Sequence, residues 1–275
     1  MLIRIGYDIA LRLSSPTAVI CGLHVHSSRK GDLVTPESFR TEPALPVEEY
    51  FDGFGNHCGR VNPPAGVIRF LNDAIISDAG ELDTYAPEAP QHDVREMPVE
   101  TLTYLLPSRY CEVDSELLDF AWRSFGRTPT GWWRIQAICD FVHTHLRFAY
   151  LEARANRTAL DAFRERVGVC RDFTHLAITL CRCMNIPARY ATGYLGDIGV
   201  TSVPGPMDFS AWFETYLGGH WDTFDARHNR RRIGRVLIGR GRDAGDVPIA
   251  MVFGQHLIEN FTVITEEINP VLPAH

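Results

Sequence analysis

The residue with the strongest chemical claim in this sequence is Cys170. It follows Gly168-Val169 and opens a run in which Phe173, Leu176, Ala177, Leu180 and Met184 recur at helical spacing, so the thiol stands at the head of a buried helix. Unpaired backbone N–H groups and the positive end of the helix dipole both favour thiolate there, which is how a nucleophilic cysteine is prepared. Gly168 permits a tight approach, and the N–H of Cys170 is placed to hold a developing oxyanion. Position alone does not separate this reading from a buried, inert cysteine, which is the reading for Cys181 and Cys183 farther along the helix. His175 lies roughly 140° around the helix from Cys170 and reads as a packed or capping side chain.

A second group of reactive residues follows downstream. Residues 210–217, Gly218-Gly219 and 220–227 form the pattern of a β-hairpin with a two-residue loop. This register sets Leu217 opposite His220, Trp212 opposite Asp225 and Ser210 opposite Arg227, with Ser210, Trp212, Asp225 and Arg227 on one side. Arg227 is then expected to lower the pKa of a thiol facing that side. His220 is seven residues along the strand from Ser210, about 23 Å, and is too far to serve there. His228 is at the height of Phe209, but a regular strand points it away from Asp225 unless a bulge at Ala226-Arg227 reverses it. Its plainer reading is a polar contact that fixes the loop. Glu214 reads as an exposed strand carboxylate, and Trp212 and Trp221 as cleft walls or cross-strand packing.

The elements that must position these residues are of two textures. From Met1 to about Glu100, short strand-like runs such as Ile5-Tyr7-Ile9-Leu11 and Ala18 to Val25 are broken by Gly53, Gly55, Asn62-Pro63-Pro64 and Pro87, which predicts a small β domain. Beyond it, a helix is expected after Asp114 or Ser115 and is ended by Gly126. A second follows Thr130 with Ile135, Ile138, Phe141, Val142 and Leu146 on one stripe, and a short third covers Thr158 to Phe163. Ile186-Pro187 stops the Cys170 helix before a strand at Arg189 to Leu195. His143 and His145, near Cys139 and Asp140, match no metal-ligand spacing.

Composition narrows the function. A net charge of −7 and a pI near 5.9 give no general attraction to nucleic acid or anionic lipid, and the arginines at 227, 230, 231, 232 and 235 read as a solvated loop. With 45 % hydrophobic residues the chain is expected to fold. No export signal and no apolar run of membrane-spanning length is visible. Seven scattered cysteines without a secretory signal predict reduced thiols in the cytoplasm. No phosphate loop or dinucleotide fingerprint is present, so neither an organic cofactor nor a metal is expected.

Together, Gly-Val-Cys170-Arg-Asp-Phe-Thr-His175, the strand after Ile186-Pro187-Ala188-Arg189, and the hairpin ending Thr223-Phe224-Asp225 resemble the bacterial transglutaminase-like family. Phe51-Asp52-Gly53-Phe54-Gly55-Asn56 and Leu106-Pro107-Ser108-Arg109-Tyr110 are similar to the β-sandwich domain and junction that precede its core. The resemblance implies an α+β fold, with an N-terminal β-sandwich at 1–100 and a papain-like transglutaminase core at 101–275 whose helices pack on an antiparallel sheet. It further implies Cys170 as the nucleophile that forms a thioester, Asp225 as orienter of the acid–base, and position 210 as the place of the catalytic histidine. This sequence has Ser210 there, and a serine hydroxyl accepts no proton near neutral pH. Two functions follow as expectations. One is a thiol amidase, peptidase or acyltransferase acting on peptide, protein or amide substrates; the other is a degenerate member that binds a peptide or protein partner.

Overall fold

A computed structural model describes residues 1–201 and 207–268. Strand β1 (Leu2–Leu13) is the spine of the first half: its alternation turns Ile3, Ile5, Tyr7, Ile9 and Leu11 into a dry core. It pairs antiparallel with β6 (Gly66–Ser77) on one side and β14 (His256–Ile268) on the other, and β3 (Arg40–Glu42) extends the sheet to the order β14-β1-β6-β3. Facing it is a second antiparallel sheet of β13 (Ala250–Val252), β2 (Val19–Cys21), β5 (His57–Val61) and β4 (Glu48–Phe51), in the order β13-β2-β5-β4. Val19, Cys21, Val61, Ile68, Phe70 and Ile76 close the core between the two sheets.

The second half packs α1 (Leu117–Phe125), α2 (Trp132–His145), α3 (Ala159–Glu165) and α4 (Cys170–Cys183) against an antiparallel sheet of β9 (Ala188–Tyr194), β10 (Ser210–Leu217), β11 (His220–Phe224) and β12 (Val236–Gly241). A short parallel pair, β7 (Arg147–Phe148) and β8 (Val167–Gly168), leads into α4. The helices fall where apolar spacing places them. Ile135, Ile138, Val142 and Leu146 are buried along α2 and just past it, and Thr158 caps α3 in a reciprocal box with Asp161. Gly218 and Gly219, at φ +54° and +91°, supply the left-handed turn that a two-residue hairpin needs.

The second half contributes to the sandwich core. Tyr194, Phe209, Val236 and Ile238 of the second half join the sandwich core, while Asn56 donates to Arg240 O at 2.7 Å and accepts from Arg240 N at 2.8 Å. The Asp52–Asn56 turn is thus seated on β12. The division at residue 100 treats the chain as two successive segments, whereas β13 and β14 return from the second to complete both sheets of the first. Among the described residues no helix is long and apolar enough to cross a membrane.

Candidate active site

The mouth of α4 is built by a buried acid. Asp172 accepts from Val169 N at 2.9 Å and from Arg157 Nη1 at 3.0 Å, and both side chains are almost fully buried. Gly168 lies against it so closely that a Cβ there would come within 2.6 Å of Asp172 Cβ, which accounts for the glycine two residues before the thiol. Asp172→Ala leaves Arg157 buried with only Glu165 and a carbonyl as partners, and strips Val169 N–H of its acceptor. The expected loss is about 3 kcal/mol of stability, read as a lowered urea midpoint with unchanged slope. A loss below about 1 kcal/mol would show that the pair is not what fixes the helix mouth.

Cys170 keeps a partly exposed edge, and its Sγ rests on β10 just past the end of β11, donating toward Phe209 O at 4.0 Å. Burial pushes the thiol up to about 11 and outweighs the opposing pull of Arg227 and of the Ala211 and Arg171 amides; Asp208 adds to the rise. Arg227 and the helix-head amide thus pull in the expected direction, but desolvation penalises thiolate more than they repay, so the net shift is upward rather than downward. Asp208 accepts from Tyr150 Oη at 3.0 Å and from Phe209 N, and burial raises its own carboxyl.

Ser210 begins β10, paired with Gly193 of β9, and its carbonyl accepts from Thr192 Oγ1 at 2.8 Å. Its Oγ is buried without a hydrogen-bond partner among the described residues. The hairpin register matches expectation for the five pairs from Leu217↔His220 to Phe213↔Phe224. There β11 ends, so the Trp212–Asp225 and Ser210–Arg227 pairs do not form. Residues 226–228 make a turn, neither a continued strand nor a bulge, and this brings His228 back onto Asp225. His228 N donates to Asp225 Oδ1 at 3.0 Å and Nδ1 lies 2.8 Å from Oδ2, which also accepts from Arg235 Nη2 at 3.0 Å. Burial works to raise the Asp225 carboxyl, but His228 and Arg235 hold it well below the usual range.

Helix α2 braces that turn. His143 Nδ1 reaches Arg227 O at 2.8 Å, Gln136 donates to Asn229 Oδ1 at 3.0 Å, and Asn229 donates to Asp140 at 2.8 Å. His145 reaches Phe163 O, so neither α2 histidine needs a metal to explain it. Arg227 stacks on Phe148, 4.0 Å from its ring centre. His220 pairs with Asp222 at the exposed hairpin tip, and His175 is buried, stacked on Tyr110 and accepting from Ala244 N. Glu214, read as exposed, is buried between Arg189 at 2.6 Å and Arg240 at 2.9 Å. Its alternation with apolar neighbours was uninformative because both faces of β10 are covered.

Sequence reasoning did not find Asp172, Arg157 or Asp208, and it read Arg232 and Arg235 as part of a solvated loop, whereas Arg232 is buried and Arg235 is covered between Asp83 and Asp225. Asp172 had a readable signal, an acid at the third position of a helix. The others act across long separations that local pattern does not carry.

Comparison with known proteins bears on this geometry. A family model described as "Transglutaminase-like superfamily" matches residues 123–226, which hold Cys170, Ser210 and Asp225. A solved structure named a putative cysteine protease from Cytophaga hutchinsonii is 30 % identical with a TM-score of 0.85, covering 99 % of this chain and 92 % of that one. A Mycobacterium leprae protein named uncharacterized protein ML0607 is 34 % identical over 115 residues, 40 % of this chain and 40 % of its own length, so the match leaves most of that relative uncovered.

Proposed function

The chain belongs to the transglutaminase-like superfamily, and we propose that within it Cys170 forms a thioester with peptide or amide acyl groups while His228, held by Asp225, moves the proton. The observation that carries this is the 2.8 Å contact of His228 Nδ1 with Asp225, which engages one ring nitrogen and leaves Nε2 for proton exchange. Ser210 does not supply that function. Sγ attacks the acyl carbon, its proton passes to Nε2, and Nε2 returns it to the leaving nitrogen as the C–N bond breaks. Water or an amine then attacks the thioester, and its proton travels the same way back to sulfur.

A thiol at about 11 is thiolate in only about one molecule in 10⁴ at pH 7. Proton removal must therefore accompany attack, and no resting thiolate–imidazolium pair is expected. The same fact favours the second reading, a partner-binding member without turnover, because the hydrogen bond recorded for Sγ goes to a backbone carbonyl.

An activated ester and intact-mass analysis test the first reading: one acyl adduct on Cys170 is expected, and adducts only on other cysteines would reject it. Without substrate, iodoacetamide labelling of Cys170 should keep accelerating from pH 7 to above pH 9. A plateau near neutrality would show an ordinary activated thiolate instead.

A further inference from the structure

The N-terminal sandwich holds a group of side chains that the thiol chemistry does not use. His24, just after β2, Glu49 on β4 and His57 on β5 place three ligand atoms within 4.8 Å of one another. Glu49 and His57 share a face, since Phe51 is the cross-strand partner of His57 and Glu49 is two residues away from it. His57 Nε2 lies 3.0 Å from Glu49 Oε2.

The orientation of His24 is the decisive feature. Glu37, fixed by Val25 N at 2.9 Å, faces His24 Nδ1 at 3.5 Å. The opposite nitrogen, Nε2, is buried without a hydrogen-bond partner among the described residues, in a residue only 4 % exposed. A carboxylate on one ring nitrogen and an open lone pair on the other is the arrangement that orients a metal-binding imidazole. The rings also form a column: His24–His57 at 4.1 Å and His57–Phe51 at 4.9 Å stack, and Phe39 lies tilted against His24 at 4.8 Å. Stacking alone would be served by any flat side chain. It does not explain a buried nitrogen left unpaired, nor a carboxylate on each side of the histidine pair.

We propose that His24 Nε2, His57 and Glu49 bind one divalent transition metal, zinc foremost, with Glu37 holding His24 in the required orientation. Two imidazoles and a carboxylate suit zinc at about 2.0–2.2 Å, and three protein ligands leave a fourth position open to water. Glu49 is exposed and gives the ion a path in, while the His57 side chain is only 13 % exposed. The bound ion ties β4, an edge strand whose four residues are all exposed, to the segment following β2. This site is separate from Cys170 and does not depend on its chemistry.

The test uses the full chain, stripped with chelator and titrated with zinc at pH 7.5 by calorimetry, with cobalt as a spectroscopic substitute. One equivalent should bind at micromolar affinity or tighter and raise the melting temperature. The cobalt spectrum should be tetrahedral without a thiolate charge-transfer band. Glu37→Gln keeps an acceptor for Val25 and should weaken binding about 10–100-fold, while Glu49→Gln, at an exposed position, and His57→Gln should weaken it at least as much. Binding weaker than millimolar, binding unchanged in Glu49→Gln and His57→Gln, or a thiolate band would each overturn the site and leave the column as packing.

Discussion

His228→Ala is expected to lower acyl transfer by about 10²–10⁴-fold, in kcat with little change in KM, while the protein stays folded. The range is that of a general acid–base taken away from a positioned nucleophile. Folding should survive because Asp225 keeps Arg235, and because the turn remains held by His143 on Arg227 O and by Asn229 between Gln136 and Asp140. If His228→Ala is silent and Asp208→Asn is not, the proton is handled by the buried carboxyl beside Cys170, and the assignment of His228 is wrong.

Ser210→His in the His228→Ala background is expected to restore at least about 10²-fold of the lost activity. The sulfur rests between the backbones of Phe209 and Ala211, which flank residue 210, so an imidazole introduced there starts beside it. Asp225, relieved of the His228 ring but still held by the residue-228 N–H and Arg235, is expected to orient the new ring. The same substitution in the otherwise native chain separates the two functional readings. If it turns an inert protein into a measurable amidase, the natural protein is a binder that has lost its base. If the native chain already turns over, the partner-only reading falls.

Much of this site was legible in residue order. The apolar stripe after Cys170 placed this thiol at a helix head, and Gly218-Gly219 fixed the hairpin register, because helical period and turn chemistry are local properties. What was not legible depends on neighbours distant in sequence. The thiol was expected to be acidified by its helix, but desolvation by surrounding elements won. Glu214 was expected in solvent, but Arg189 and Arg240 cover it. His228 was expected to point away from Asp225 in a straight strand; ending β11 at Phe224 leaves Asp225 to α2-braced turn geometry and to Arg235, ten residues on. The resemblance implied Cys170 and Asp225 as site residues and position 210 as the place of a histidine, and it said nothing of His228.

The pairing of Leu2 with Ile268 has a consequence for the order of events during synthesis. Strand β1 emerges long before β14 and cannot gain that neighbour until the helix that carries the thiol and the sheet after it have been made. One flank of β1 therefore waits, open to other unfinished chains, while everything between the two strands is synthesised. The reactive half can assemble early, since its sheet and helices lie close in sequence, and the sandwich that looks like a beginning is the part completed last.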